Sequence, residues 1–188
     1  DLEFTGGITL SGDNTNFSGA FNIESGNITV TSQNALKNAA VTLSSTDSNG
    51  TNNNTQLLLR NTEDSPSTTP ITVEVGSLAG GAGAKGNVGL GAHTTLKVGD
   101  TSSTSFDGTM TGAGSLTKVG DGTLTLTRSN IYTGTTTISA GTLQAGGETA
   151  GGTALGSIGT GAISIAQNAK LAVNRSNTYI LAQQIAGA

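Results

Sequence analysis

Residues 112–146 read GAGSLTKVGDGTLTLTRSNIYTGTTTISAGTLQAG, and much of the 188-residue chain echoes this stretch. Leu116, Leu124, Leu126, Ile138 and Leu143 are each flanked by Thr, Ser or Gln, the period-two pattern of strands with one buried face. Gly112, Gly114, Gly120, Gly122, Gly134 and Gly141 punctuate these runs at the short intervals expected of corners. Short strands, glycine corners and repetition together predict an all-β solenoid, a parallel β-helix in which each coil lies about 4.8 Å above the last. The five aliphatic residues point inward, each worth about 1.5–3 kcal/mol by burial, and the intervening threonines face solvent or bond along the stack.

Composition supports a thin, elongated core. Gly, Thr, Ser and Asn make up about half the chain, residues that suit pleated surfaces and tight turns. Hydrophobic residues are only 34%, and Phe4, Phe17, Phe21, Phe106, Tyr132 and Tyr179 are the only aromatics. Disordered chains couple such low hydrophobicity to high net charge and lack aliphatic periodicity, and neither holds here. A net charge of −4 with scattered basic residues leaves no stripe to neutralise phosphates, which argues against nucleic acid and anionic membranes as partners. There is no cysteine for a disulfide framework or thiolate metal site, which mildly favours a bacterial product. No stretch reaches the ~20 apolar residues that span a bilayer, so no direct membrane insertion by this segment is expected. With no signal peptide at its head, a secreted form would be a mature fragment.

Set against itself at an offset of 75, the chain pairs Leu96 with Leu171, Val98 with Val173 and Met110-Thr111-Gly112-Ala113 with Ile185-Ala186-Gly187-Ala188, as if it stopped inside a repeat. An offset of 115 pairs Phe17 with Tyr132, Ile23 with Ile138, Gly26 with Gly141 and Ile28 with Leu143. Lys97-Val98-Gly99-Asp100 returns at an offset of 21 as Lys118-Val119-Gly120-Asp121, a plausible length for one coil. At that length the chain makes about nine coils. The expected organisation is one β-helical unit over residues 1–188: a divergent repeat over 1–43, two loops leaving the rod at 44–56 and 61–70, and a repeat region over 71–188 truncated within a repeat. The first loop is too polar to bury, and the second holds both prolines. An uncapped sheet edge predicts end-to-end association.

The run Gly-x-Gly-Ser-Leu-Thr-Lys-x-Gly-x-Gly-Thr-Leu-Thr-Leu, continuing through Asn130, Tyr132-Thr133-Gly134, Thr136 and Gly141-Thr142-Leu143, closely resembles the passenger-associated repeat of bacterial autotransporters. Two departures stand out: an extra residue between Asn14 and Phe17 in the first copy, and Arg128 where the family often has Gly. The resemblance implies a type V secretion passenger, a right-handed parallel β-helix exported through the outer membrane by a C-terminal β-barrel. It implies placement at the bacterial cell surface or outside the cell. A cysteine-free, weakly charged chain with local contacts suits passage through a narrow pore and progressive folding outside.

Candidate chemistry is sparse. His93 is expected to be an ordinary surface or turn residue, since no serine sits in a nucleophile-elbow motif. Asp100, Asp107 and Asp121 could gather on one face, as carboxylates do in β-helical polysaccharide-active enzymes, but turn capping is the commoner role of Asp. Gly81-Ala82-Gly83-Ala84-Lys85-Gly86 matches G-x-G-x-x-G in form only, because strand rather than helix follows, and Lys85 stands where a calcium-binding repeat needs Asp. Asp47 and Asn49 open an acidic loop without the closing Glu of an EF-hand. No structural metal, cofactor or catalytic residue is expected.

The leading expectation is a non-enzymatic passenger that engages a host-cell surface protein or matrix component, as adhesin, receptor ligand or toxin segment. Asp47, Asn49, Asn53, Glu63 and Asp64 are its candidate contact residues, because they sit in the two polar loops. A carbohydrate-active enzyme using Asp100 and Asp107, and a passive spacer, are the alternatives.

Overall fold

A computed structural model of the chain describes residues 2–44, 55–60, 69–80, 86–147 and 155–187. These form eighteen short strands, numbered in chain order, with no helix among them. Every strand pair among them is parallel, and the strands stack on three faces of one solenoid. The first face holds β1 (Leu2–Thr5), the first half of β3 (Ala20–Val30), β4 (Ala40–Leu43), β7 (Ser77–Gly80), β10 (Thr104–Phe106), β13 (Thr123–Leu126), β15 (Thr142–Ala145) and β17 (Lys170–Val173). The second holds β2 (Ile8–Leu10), the second half of β3, β5 (Thr55–Leu59), β8 (Gly86–Leu90) and β11 (Thr109–Gly112). The third holds β6 (Ile71–Val75), β9 (Thr94–Val98), β12 (Ser115–Lys118), β14 (Thr136–Ile138), β16 (Ile163–Ile165) and β18 (Ile185–Gly187). This is the predicted all-β parallel β-helix. Because β3 runs through a corner, it joins the first two faces into one twelve-stranded sheet.

Equivalent residues stack into inward ladders. On the second face Ile8, Ile28, Leu57, Val88 and Met110 lie one above another. On the first, Leu124 lies between Thr104 and Leu143, and Leu143 is capped by Leu171. Leu116, Leu124, Leu126, Ile138 and Leu143 are all buried as expected. A wide core is unnecessary in this geometry, since each side chain is covered by its counterparts one coil above and below. That is how 34% hydrophobic residues suffice.

The coil length varies along the rod and the number of coils changes. In the shorter coils the register step brackets the expected 21 residues: Leu143 stacks 19 residues beyond Leu124, Leu116 20 beyond Leu96 and Thr94 23 beyond Ile71. The first face shows eight strand levels among the described residues rather than about nine coils, a rod of roughly 34 Å at the interstrand spacing. Long connections account for the smaller number: Thr55 pairs with Gly86, and Thr136 with Ile163, so those coils consume extra chain. The offsets of 75 and 115 are not vertical registers either. Leu96 is on the third face and Leu171 on the first, while Ile23 is on the first and Ile138 on the third. Every face needs the same strand-and-corner unit, so the sequence resembles itself across faces as well as up the stack.

The first expected loop is shorter than the polarity of 44–56 suggests. Thr55 and Gln56 open β5, and Thr55 is fully buried with its Oγ1 donating to the Ser44 carbonyl at 3.0 Å. Burial of the hydroxyl is tolerated because that bond satisfies it.

Candidate functional surface

The glycines of the 112–146 module lie at two kinds of corner, each met on successive coils. At the corner from the second to the third face, Gly114, Gly134 and Gly161 stack directly: a Cβ on Gly134 would meet the Gly114 carbonyl at 2.3 Å, and one on Gly161 would meet the Gly134 carbonyl at 2.1 Å. Backbone there approaches backbone where a side chain would sit, so only glycine fits. At the corner from the third to the first face, Gly120 and Gly141 have φ of 65° and 62°, and Gly141 packs on the carbonyls of Gly120 and Gly122. Gly112 ends β11 with φ 104°.

Lys118 departs most from the sequence reading. The echo at an offset of 21 sets it over Lys97, yet the true register sets it over Val98 and beneath Ile138, inside the rod and 1% exposed. A register change of one residue moves a strand side chain to the opposite face. Its ammonium donates to the carbonyls of Val119 and Gly120, at 2.5 and 2.8 Å. Desolvation lowers its pKa from the ordinary 10.5, against the opposing pull of the Asp100 and Asp121 charges. Lys97 instead faces outward and pairs with Glu74 at 2.9 Å, with Lys37 at 3.9 Å on the other carboxylate oxygen. These three side chains, with Asn38, Gly99 and Asp100, line a shallow corner groove of about 270 Å³.

Above β11 the regular strands of the second face end, and side chains supplement the backbone bonds that remain, such as Ile131 to Met110 and Thr160 to Tyr132. Asn130, 2% exposed, accepts from the Met110 amide at 2.7 Å and donates to the carbonyls of Arg128 and Ser157 at 2.9 and 2.7 Å. Tyr132 is fully buried with its hydroxyl 2.7 Å from Thr136 Oγ1, and burial pushes its pKa up to about 12. Both positions fall in the repeat motif, but periodicity alone could not assign them these roles, which depend on the neighbouring coils.

Of the three candidate aspartates, Asp100 and Asp121 share a corner on adjacent coils, and Asp107 lies at another. Asp107 is held by Arg128, with Nε donating at 2.7 Å, and by the Thr127 hydroxyl at 2.7 Å, at the corner between the first and second faces. Asp100 lies at the corner between the third and first faces, where Oδ1 accepts from the Ser102 amide at 2.6 Å in the local turn role expected of it. Asp121 flanks Lys118 at that same corner, one coil on. His93 is exposed in a turn with φ 58°, as anticipated. Among the described residues no three His, Asp or Glu side chains are grouped to hold a metal. Asp47, Asn49, Asn53, Glu63 and Asp64 lie outside the described residues, as do positions 81–85 of the glycine cluster.

Comparison with known proteins agrees with this geometry. The passenger-associated-transport-repeat family matches residues 116–145, from β12 through β15. Over 71 residues the chain is 45% identical to an adhesin, the BmaC autotransporter of Brucella suis biovar 1 (strain 1330), covering 37% of this chain and 2% of that protein. The chain therefore spans only a small part of the relative it matches. No solved structure matches it significantly. A repeat of this family seated in register within an all-parallel stack agrees with the resemblance to the passenger domains of bacterial autotransporters.

Proposed function

We propose that this segment is an adhesive, non-enzymatic part of its passenger, meeting a host-cell surface protein or matrix component along an extended rod. The observation that carries the reading is the 45% identity to a protein named as an adhesin, over a stretch more than twice as long as the matched repeat itself. The separation of Asp107 from Asp100 counts against that pair as enzymatic carboxylates, since paired carboxylate chemistry needs both groups at one substrate. β4 lies on the first face, β5 on the second and β6 on the third, so both connections join strands across corners, positions at which a solenoid tolerates insertions. They remain the preferred contact regions. Purified chain should bind cultured cells or matrix-coated surfaces, and replacing residues 45–54 and 61–68 with short Gly-Ser turns should abolish binding. Retained binding by that variant removes the loop assignment; absence of binding by the parent removes adhesion.

The same stack supports export in the full-length protein, where the family implies a C-terminal outer-membrane β-barrel. Each emerging coil buries apolar surface on the one before, which biases the chain outward. Deleting residues 112–146 should abolish surface display; intact display overturns this role.

A further inference from the structure

The second face above β11 carries a groove of about 300 Å³ that crosses three successive coils. Its floor and rims come from residues 129–131, 157–160 and 179–183, the segments that replace ladder strands there. Ile131 and Ile180, 59% and 79% exposed, form apolar walls with Tyr179. Between them stand the hydroxyls of Ser129, Ser157 and Thr160 and the amide of Gln183. Among the described residues no charged side chain lines it.

One polar atom in this lining is out of balance. Gln183 Nε2 donates to the Gly159 carbonyl at 2.6 Å, which fixes the amide orientation and leaves Oε1 as the acceptor. Among the described residues that Oε1 is the one buried side-chain oxygen or nitrogen with no hydrogen-bond partner. A buried acceptor without a donor is costly, so a donor supplied by a ligand has a ready use here.

Two ligand types combine apolar surface with neutral donors: a peptide and a saccharide. A peptide binds such a fold by adding a strand to an open edge. The edge is already closed here, because the amides of Ile131, Ser157, Ile158 and Thr160 donate to Met110, Arg128, the Tyr179 hydroxyl and Tyr132. What the groove offers is side-chain hydroxyls and an amide between apolar walls, which suits the alternating hydroxyl and C–H surfaces of a sugar ring. The geometry points to a binding site for a neutral saccharide unit, bounded by Ile131, Tyr179, Ile180 and Gln183. This deepens the adhesive reading by naming a ligand class, and rests on it for its biological use.

The test is an NMR titration of the isotope-labelled chain with the methyl glycosides of glucose, galactose and N-acetylglucosamine at millimolar concentrations. Saturable shifts confined to residues 129–131, 157–160 and 179–183 are expected with at least one sugar. Ile131→Asn and Ile180→Asn should each weaken that sugar about tenfold while leaving the rest of the spectrum unchanged, since both side chains project into solvent. Absence of groove shifts with all three sugars, or shifts indifferent to both substitutions, overturns the assignment. So does binding of the neutral tripeptide acetyl-Thr-Leu-Thr-amide in place of the sugars. Because this titration reads the groove and the cell assay reads adhesion, failure of either is distinguishable from failure of the other.

Discussion

At the scale of single residues, the corners and the two buried polar side chains carry the sharpest consequences. Gly141 combines a left-handed backbone with contacts of 2.4 and 2.5 Å from a would-be Cβ to the Gly120 and Gly122 carbonyls. Gly141→Ala should therefore cost about 3 kcal/mol in chemical denaturation, whereas Gly12→Ala, with open space around it, should change stability by less than about 1 kcal/mol. Tyr132 and Lys118 give opposite pH signatures. The raised pKa of Tyr132 means that its contribution is full below the ordinary tyrosine value of 10.0 and is lost as pH rises through about 12. Tyr132→Phe should cost about 1 kcal/mol at neutral pH through the lost bond to Thr136, yet remove about 3 kcal/mol of the alkaline loss. For Lys118 the lowered pKa means that the unfolded chain holds the proton more tightly, so stability rises as pH climbs toward 10.5. In Lys118→Met that rise should be missing from the pH dependence of the unfolding free energy.

At the scale of elements, the change on the second face from regular strands to bonding supplemented by side chains rests on Asn130. Its three bonds link β11, the 128–130 turn and the next coil. Asn130→Ala leaves those buried backbone groups without partners and should cost about 3 kcal/mol. Asn130→Asp keeps the acceptor for the Met110 amide but loses both donors, and should cost nearly as much. Thermal melts of the two variants check this. If Asp restored most of the stability, the donated bonds would be unimportant. By contrast β12–β15 need no such device, because strands of adjacent coils bond directly along their whole length.

At the scale of the whole molecule, every described strand bonds only to strands of the neighbouring coils, so the rod is a stack of nearest-neighbour interfaces. The last strands, β17 and β18, each pair on one side alone among the described residues, and Val173 and Ile185 are 47% and 52% exposed there. The isolated 188-residue chain should accordingly self-associate with concentration in analytical ultracentrifugation. Val173→Lys combined with Ile185→Lys should stay monomeric, since charge at an edge opposes strand addition. Persisting association in that variant would locate the contact elsewhere.

What the sequence determined by itself was the class of architecture and the inward set in 112–146, because alternation and glycine spacing are local properties that any strand-and-corner unit must obey. It also marked Asn130 and Tyr132 as part of the motif without disclosing what they hold. Register was decided only by the tertiary structure. The echo at an offset of 21 made Lys97 and Lys118 equivalent, but a step of 20 sends one outward to Glu74 and the other into the core. The same holds for the separation of Asp100 from Asp107, the burial of Thr55 and the groove beside Ile131. Each depends on which residues of different coils lie one above another, and a slip of a single position reverses the facing of a strand.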